Sequence, residues 1–228
     1  NLTFDGNRSA VQKTISIIAK STGKLYLSNC TFQNNDAYNN TAAVWIVGNY
    51  NTTFDKCTFK NNKSYRDIVT NSDGSGNCTS TVWIQGDSNS NGTATFNDCI
   101  IENNTDQSAV TIIGAVGYFN RCTFTKNTNT SNDGYAAAIG FNAGDGYLNG
   151  CTFDGNSASK DGGVIHVNNA KGFTHADNRG HLEAKDCIFK NNYAGNNAGV
   201  IMLWHTYQND KFDGCQFLSN SSGGGTGS

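Results

Sequence analysis

Apolar residues in this chain fall in short alternating runs, and the runs come back in register. NCTFQNN, Asn29 to Asn35, returns as KCTFKNN from Lys56, DCIIENN from Asp98, RCTFTKN from Arg121, GCTFDGN from Gly150, DCIFKNN from Asp186 and GCQFLSN from Gly214. The chain opens on NLTFDGN, with Leu2 in the place of Cys. Two residues after the Cys position stand Phe4, Phe32, Phe59, Ile101, Phe124, Phe153, Phe189 and Phe217. Strand alternation puts these on the same face as the Cys and turns Thr31, Thr58, Thr123 and Thr152 the other way, so each copy predicts a short strand with one apolar face.

Five residues after the Cys position every copy has Asn: Asn7, Asn35, Asn62, Asn104, Asn127, Asn156, Asn192 and Asn220. Asn tolerates left-handed backbone and its amide can bond a stacked copy of itself, so a column of Asn predicts one tight turn repeated rung upon rung. Three residues before the Cys lies a second apolar column, Leu27, Phe54, Phe96, Phe119, Leu148 and Phe212, with Ala184 as the exception. A third segment follows the Asn: AAVWI from Ala42, STVWI from Ser80, SAVTI from Ser108, AAAIG from Ala136, GGVIH from Gly162 and AGVIM from Ala198. Repeats a few tens of residues long, with three short strands and Asn, Gly and Asp corners, predict an all-β parallel β-helix of about eight rungs.

The Cys positions are spaced 28, 27, 42, 23, 29, 36 and 28 residues apart, so the surplus leaves the stack as loops. The two longest are expected near Tyr65 to Asn77 and Lys171 to His181, and loops on a rigid scaffold commonly carry function. The repeat makes residues 1–220 one elongated domain and leaves SSGGGTGS, 221–228, as a flexible Gly/Ser-rich tail.

Composition narrows the function classes. A net charge of −2 with 15% charged residues leaves no electrostatic footprint for nucleic acid. There is no run of 18 apolar residues to cross a membrane as a helix. The absence of Pro and the many Asn, Gly, Thr and Ser suit stacked turns. Asn-x-Ser/Thr triplets at Asn1, Asn7, Asn29, Asn39, Asn51, Asn62, Asn77, Asn91, Asn103, Asn129 and Asn220 accord with an exported glycoprotein, although many arise by chance in such a composition.

The FxxN of FQNN, FKNN and FDGN, with GGVI at Gly162 to Ile165, resembles the repeats of chlamydial polymorphic outer-membrane proteins. The whole repeat, with its Cys and Asn-rich turns, is similar to the β-helix repeats of adhesin-like surface proteins of methanogenic archaea. The resemblance implies a right-handed parallel β-helix, export, and attachment to other cells or surfaces, and it implies no catalytic residues. Most rungs depart from it by replacing the paired Gly with Ala, Ser or Thr.

Candidate chemistry is sparse. Cys30, Cys57, Cys99, Cys122, Cys151, Cys187 and Cys215 share one column that also accepts Leu2, which favours a buried apolar ladder over disulfides or metal. Cys78 stands off the column. His175, Asp177 and His181 share the longer insertion but meet no recognised metal-ligand spacing, and no cofactor is expected. Asp55, Asp98, Asp186 and Asp213 at the corner before the Cys offer carboxylates for a carbohydrate-active enzyme, with Asp55 and Asp98 facing one substrate, but the same corner carries Lys and Arg as a solvated edge would.

In the third segment, Val44, Val82, Val110, Ala138, Val164 and Val200 align in one column and Trp45, Trp83, Thr111, Ile139, Ile165 and Ile201 in the next. Adjacent positions face opposite ways, so one largely apolar column is expected outside, covered by loops or used to bind. The expected partner is a glycan or protein on another cell, met through Trp45, Trp83 and Thr111 and the insertion carrying His175, Asp177 and His181. Flanking domains of a larger surface protein are the other expected partners. A carbohydrate-active enzyme and a passive stalk are the alternatives.

Overall fold

The computed structural model describes residues 1–6, 8–9, 15–18, 22–38, 41–65, 80–86, 92–105, 107–131, 134–168, 180–204 and 209–224. Every strand pairing among them is parallel, and strands of successive repeats lie side by side, which makes the stack a β-helix. The Phe sheet has eight strands, from Thr3–Asp5 through Thr31–Gln33 and Thr58–Lys60 to Gln216–Leu218. A long sheet runs from Gly23–Ser28 to Lys211–Asp213 and a Trp sheet from Ile15–Ile18 to Ile201–Trp204, each of seven strands.

The sequence pattern predicts three strands per rung, and the structure adds a fourth. Asp36–Tyr38 and its counterparts, such as Ser157–Ala158 and Tyr193–Ala194, form a short sheet between the Phe sheet and the Trp sheet, in runs of three and four strands joined through single bridges at Thr105. Its strands of two or three residues are too short to show an alternating pattern. Ser221–Ser222 add to this short sheet by pairing with Tyr193–Ala194, so the stack continues two residues past the boundary expected at Asn220.

The core is built of ladders. In the Phe sheet Phe4, Phe32 and Phe59 stack at 4.7 and 4.9 Å, and Phe124, Phe153, Phe189 and Phe217 at 4.8–4.9 Å, with Ile101 between the two runs. Phe54, Phe96 and Phe119 form a second column in the long sheet at 4.6 and 4.7 Å. Parallel pairing in register fixes this spacing near one strand separation, which is also a favourable ring-stacking distance. In the last described rung Phe212 and Phe217 are 40% and 50% exposed, whereas Phe54, Phe96 and Phe119 in one column and Phe32, Phe59, Phe124, Phe153 and Phe189 in the other are buried.

The Asn column is buried from Asn35 to Asn192 and works through its side chains. The backbone N–H and Nδ2 of Asn62 both donate to Asn104 Oδ1, at 3.1 and 2.9 Å, and Nδ2 also donates to Phe32 O at 3.0 Å. The same three bonds recur at Asn104, Asn127, Asn156 and Asn192. Left-handed backbone, expected at these residues, belongs instead to the residue before each: Asn34, Asn61, Asn103, Lys126, Asn191 and Ser219, with Gly6 and Gly155. Two jobs predicted for one Asn are divided between neighbours, and Asn7 lies outside the described residues.

Asn104→Ala is expected to strand the two donors of Asn62 and the Phe59 carbonyl in the core, lowering unfolding free energy by about 3 kcal/mol or more. Asn103→Ala meets only the left-handed backbone penalty, about 1 kcal/mol. Urea unfolding of the two variants checks the order.

Candidate functional site

The Trp strands Val44–Val47, Val82–Gln85 and Val110–Ile113 begin with a buried Val and turn their second residue outward. Trp45 pairs with Trp83 and Trp83 with Thr111, so the three form one outer column, each partly exposed. Trp83 Nε1 donates to Gln85 Oε1 at 3.3 Å on the same face, and Ser80 Oγ lies 2.6 Å from Thr111 Oγ1. The result is two half-exposed indoles beside a hydroxyl pair.

Beyond Thr111 the register departs from the expected columns by one residue. Val110 pairs with Ile139 rather than Ala138, and Ile139 with Ile165 and then Ile201. Ala138 and Val164 are buried in the bend before the strand, where alternation does not apply. The cause is an extra left-handed residue in that bend, Ala136, Gly162 and Ala198 at φ 55, 63 and 52°. The outer column therefore reads Trp45, Trp83, Thr111, Gly140, His166, Met202, and the continuous apolar stripe expected from Ile139, Ile165 and Ile201 is not on the surface.

At the other end of this face His166 stacks on Tyr135 at 4.8 Å and meets Trp204 edge-on at 6.5 Å. Its side chain is buried although it points away from the core formed by Ile165 and Val167, and its Nε2 has no hydrogen-bond partner. Burial holds its pKa low, at about 4, against a smaller opposing pull from Asp161.

Length variation is confined to the edges of the Trp sheet. Two residues join the long sheet to the Phe sheet in every rung, as at Asn29–Cys30, and two follow the Phe strand before the short strand, as at Asn34–Asn35. The connection into the Trp strand ranges from 4 residues before Val110 to 16 at 66–81; the connection out of it ranges from 2 at Gly48–Asn49 to 13 at 169–181. Corners that carry a ladder cannot take an insertion without breaking it, so insertions gather where no ladder runs.

The remaining expected site residues are scattered. His175, Asp177 and Cys78 lie outside the described residues. His181 belongs to the long sheet side of a different rung from Trp45 and Trp83, with Nε2 2.9 Å from Glu183 Oε1 and Nδ1 3.8 Å from Asp210 Oδ1. Asp145 Oδ1 accepts from the N–H groups of Gly180 and His181, and Asp210 Oδ1 from that of Leu182. These carboxylates clamp the backbone where the chain rejoins the sheet after 169–179, a role that residue identity alone did not reveal.

Asp55 and Asp98 do not share a column: Asp55 pairs with Asn97, while Asp98 is held by a bidentate pair with Arg121 at 2.7 and 2.8 Å. That hydrogen-bonded guanidinium keeps the Asp98 carboxyl below the usual range. Among the described residues no group of three or more His, Cys, Asp or Glu could hold a metal. Of the Asn-x-Ser/Thr triplets, Asn62 and Asn129 are buried with their amides bonded, whereas Asn29, Asn51 and Asn103 are open to solvent or half-exposed.

The column cysteines are free thiols, buried from Cys30 to Cys187 and half-exposed at Cys215. Cys57, Cys99, Cys122, Cys151 and Cys215 each donate Sγ–H to a carbonyl of the preceding rung at 3.3–3.4 Å. Hydrogen bonding between neighbouring thiols, together with burial, pushes Cys57, Cys122 and Cys187 well above the ordinary thiol range, while hydrogen bonding to the same neighbours lowers Cys99 and Cys151 to about 4. Burial, which all five share, withholds them from reagents.

Parallel rungs, inward ladders and one loop-edged face place the molecule among the β-helix solenoids. The chain belongs to the right-handed β-helix family, whose model, described as a right handed beta helix region, matches residues 1–158. A second model, the Chlamydia polymorphic membrane protein repeat, matches residues 150–168. There Gly163 is needed because a Cβ would collide with the carbonyl oxygen of Gly199. No curated protein matches the sequence. Among solved structures the chain is similar to the pectin methylesterase from Aspergillus niger in deglycosylated form, at 12% identity and a TM-score of 0.27, covering 97% of this chain and 89% of that one.

Two outcomes follow from the buried groups. Among the column thiols, iodoacetamide should label Cys215 first and leave Cys30, Cys57, Cys99, Cys122, Cys151 and Cys187 unlabelled until the protein unfolds, as peptide mass mapping will read. For His166 the folded pKa lies below the unfolded value near 6.5, so its contribution to stability is complete above that pH and is lost as pH falls toward 4, by ~3 kcal/mol. His166→Phe should therefore flatten the loss of thermal stability between about pH 6.5 and 4 relative to the wild type.

Proposed function

We propose that this chain is an adhesin-like module of an extracellular cell-surface protein, of the kind found in methanogenic archaea, and that it acts by binding rather than catalysis. Its partner is a glycan or a protein on another cell, with flanking domains of the larger protein as neighbours. The observation that carries this reading is the in-register, outward Trp45–Trp83 pair on the one sheet whose two edges take up the variation in connection length. Half-exposed indoles offer flat apolar faces with a polar N–H, the chemistry that sugar rings and protein hot spots favour. The polymorphic membrane protein repeat at 150–168 supports a surface setting.

A Trp45→Ala/Trp83→Ala variant tests it. Whole-cell and glycan-array binding by the wild type should fall about thirtyfold or more in the double variant, since hot-spot indoles are worth about 2 kcal/mol or more. Circular dichroism should show the fold intact, because both rings lie outside the core. Binding unchanged by the double substitution, or a polysaccharide shortened by the wild type, would contradict the proposal.

A further inference from the structure

The same outer face carries a second feature that the Trp45–Trp83 pair does not use. Asn142, the last residue of the strand Ile139–Asn142, points outward, and its Oδ1 is buried without a hydrogen-bond partner. His166, on the next strand, Ile165–Asn168, also points outward, and its Nε2 is in the same condition. In the pairing register Asn142 faces Asn168 while His166 faces Gly140, so Asn142 and His166 are diagonal neighbours, about 7–8 Å apart. Trp204 stands in the column of Asn142 and Asn168, 42% exposed and edge-on to His166.

A buried polar atom with no partner costs about 1–3 kcal/mol, and two such atoms on diagonal residues of one outer sheet face are not explained by packing. Gly140 contributes no side chain between them and Thr111. The anchoring is firm on the other side: Ser108 Oγ and Asn129 Nδ2 both donate to the carbonyls of Tyr135 and Ala136, fixing the backbone that carries the Tyr135 ring over His166. The orphaned pair is thus a rigid acceptor beside an imidazole nitrogen, framed by aromatic rings.

We propose that Asn142, His166 and Trp204 form a subsite for one ring of a neutral carbohydrate, deepening the reading of this sheet as the binding face and resting on it. An amide oxygen only accepts, and an imidazole nitrogen donates or accepts according to tautomer. A hydroxyl satisfies both demands, because it donates to Asn142 Oδ1 and serves His166 Nε2 in either role. Two hydroxyls of one pyranose reach diagonal neighbours, and the exposed Trp204 ring supplies an apolar face for the sugar. The low pKa of His166 keeps the imidazole uncharged at neutral pH, which suits an uncharged ligand. Both polar atoms are closed off from water, so binding requires the side chains over them to rearrange, the Trp204 ring that meets His166 edge-on among them.

Isothermal titration with tri- and tetrasaccharides of glucose, galactose, mannose and N-acetylglucosamine tests the subsite on the wild type, Asn142→Ala, His166→Phe, Trp204→Ala and Trp45→Ala/Trp83→Ala. At least one probe should bind at millimolar or lower concentration, and each of the three subsite variants should weaken it about tenfold or more. His166→Phe should do so while raising the thermal midpoint, because it removes an unpartnered buried nitrogen and keeps the ring packing; a structural histidine would leave affinity unchanged. No binding by any probe, or binding that these three variants leave intact, would overturn the subsite. Loss in the double Trp variant alone would leave the proposed binding face standing without it, and retention there with loss in the subsite variants would place the binding here.

Discussion

Each ladder asparagine from Asn35 to Asn192 donates twice to the amide oxygen of the next rung and once to the backbone of the rung before, so these rungs are bonded to both neighbours at one point. This arrangement works only if successive repeats stack in parallel and in register, with no residue gained or lost between the Cys and the Asn. The Phe ring stacks and the thiol column accept the same condition, since both sit within five residues of that Asn. A slip of one residue would turn the Phe column outward and break three bonds per rung. The uniform two-residue corners are the visible result.

The proposed binding face lies where this constraint ends. Among the described residues the edges of the Trp sheet carry no amide ladder of this kind, and there the connections vary in length from rung to rung. A rigid floor with variable borders is a general solution for presenting a recognition surface. On that floor the outward side chains are not uniform: two indoles, a hydroxyl pair, a glycine, and a buried histidine between Tyr135 and Trp204. The polar and aromatic mixture fits an ordered, hydrogen-bonding ligand better than a featureless apolar one.

Much of the fold was legible in the sequence because each ladder repeats one residue type at a fixed offset from the Cys. The Phe and Asn columns and the free buried thiols follow from that offset and from alternation, whereas alternation in the third segment left open which column faces out, and the structure turns Trp45, Trp83 and Thr111 outward. The short sheet was not legible, because Ser157–Ala158 and Tyr193–Ala194 are too brief for alternation to appear. The outer column was misread beyond Thr111, because Ala136, Gly162 and Ala198 add a left-handed residue that leaves no mark in the apolar pattern. Asp145 and Asp210 became meaningful only through the backbone N–H groups they accept.

Native-state hydrogen exchange resolved by residue tests the dependence of the stack on its Asn column most directly. Backbone amides of Asn62, Asn104, Asn127 and Asn156 should exchange only through global unfolding, with protection at least equal to that of the most protected strand amides. Ladder amides that open locally and exchange faster than those of the Trp strands would contradict the account.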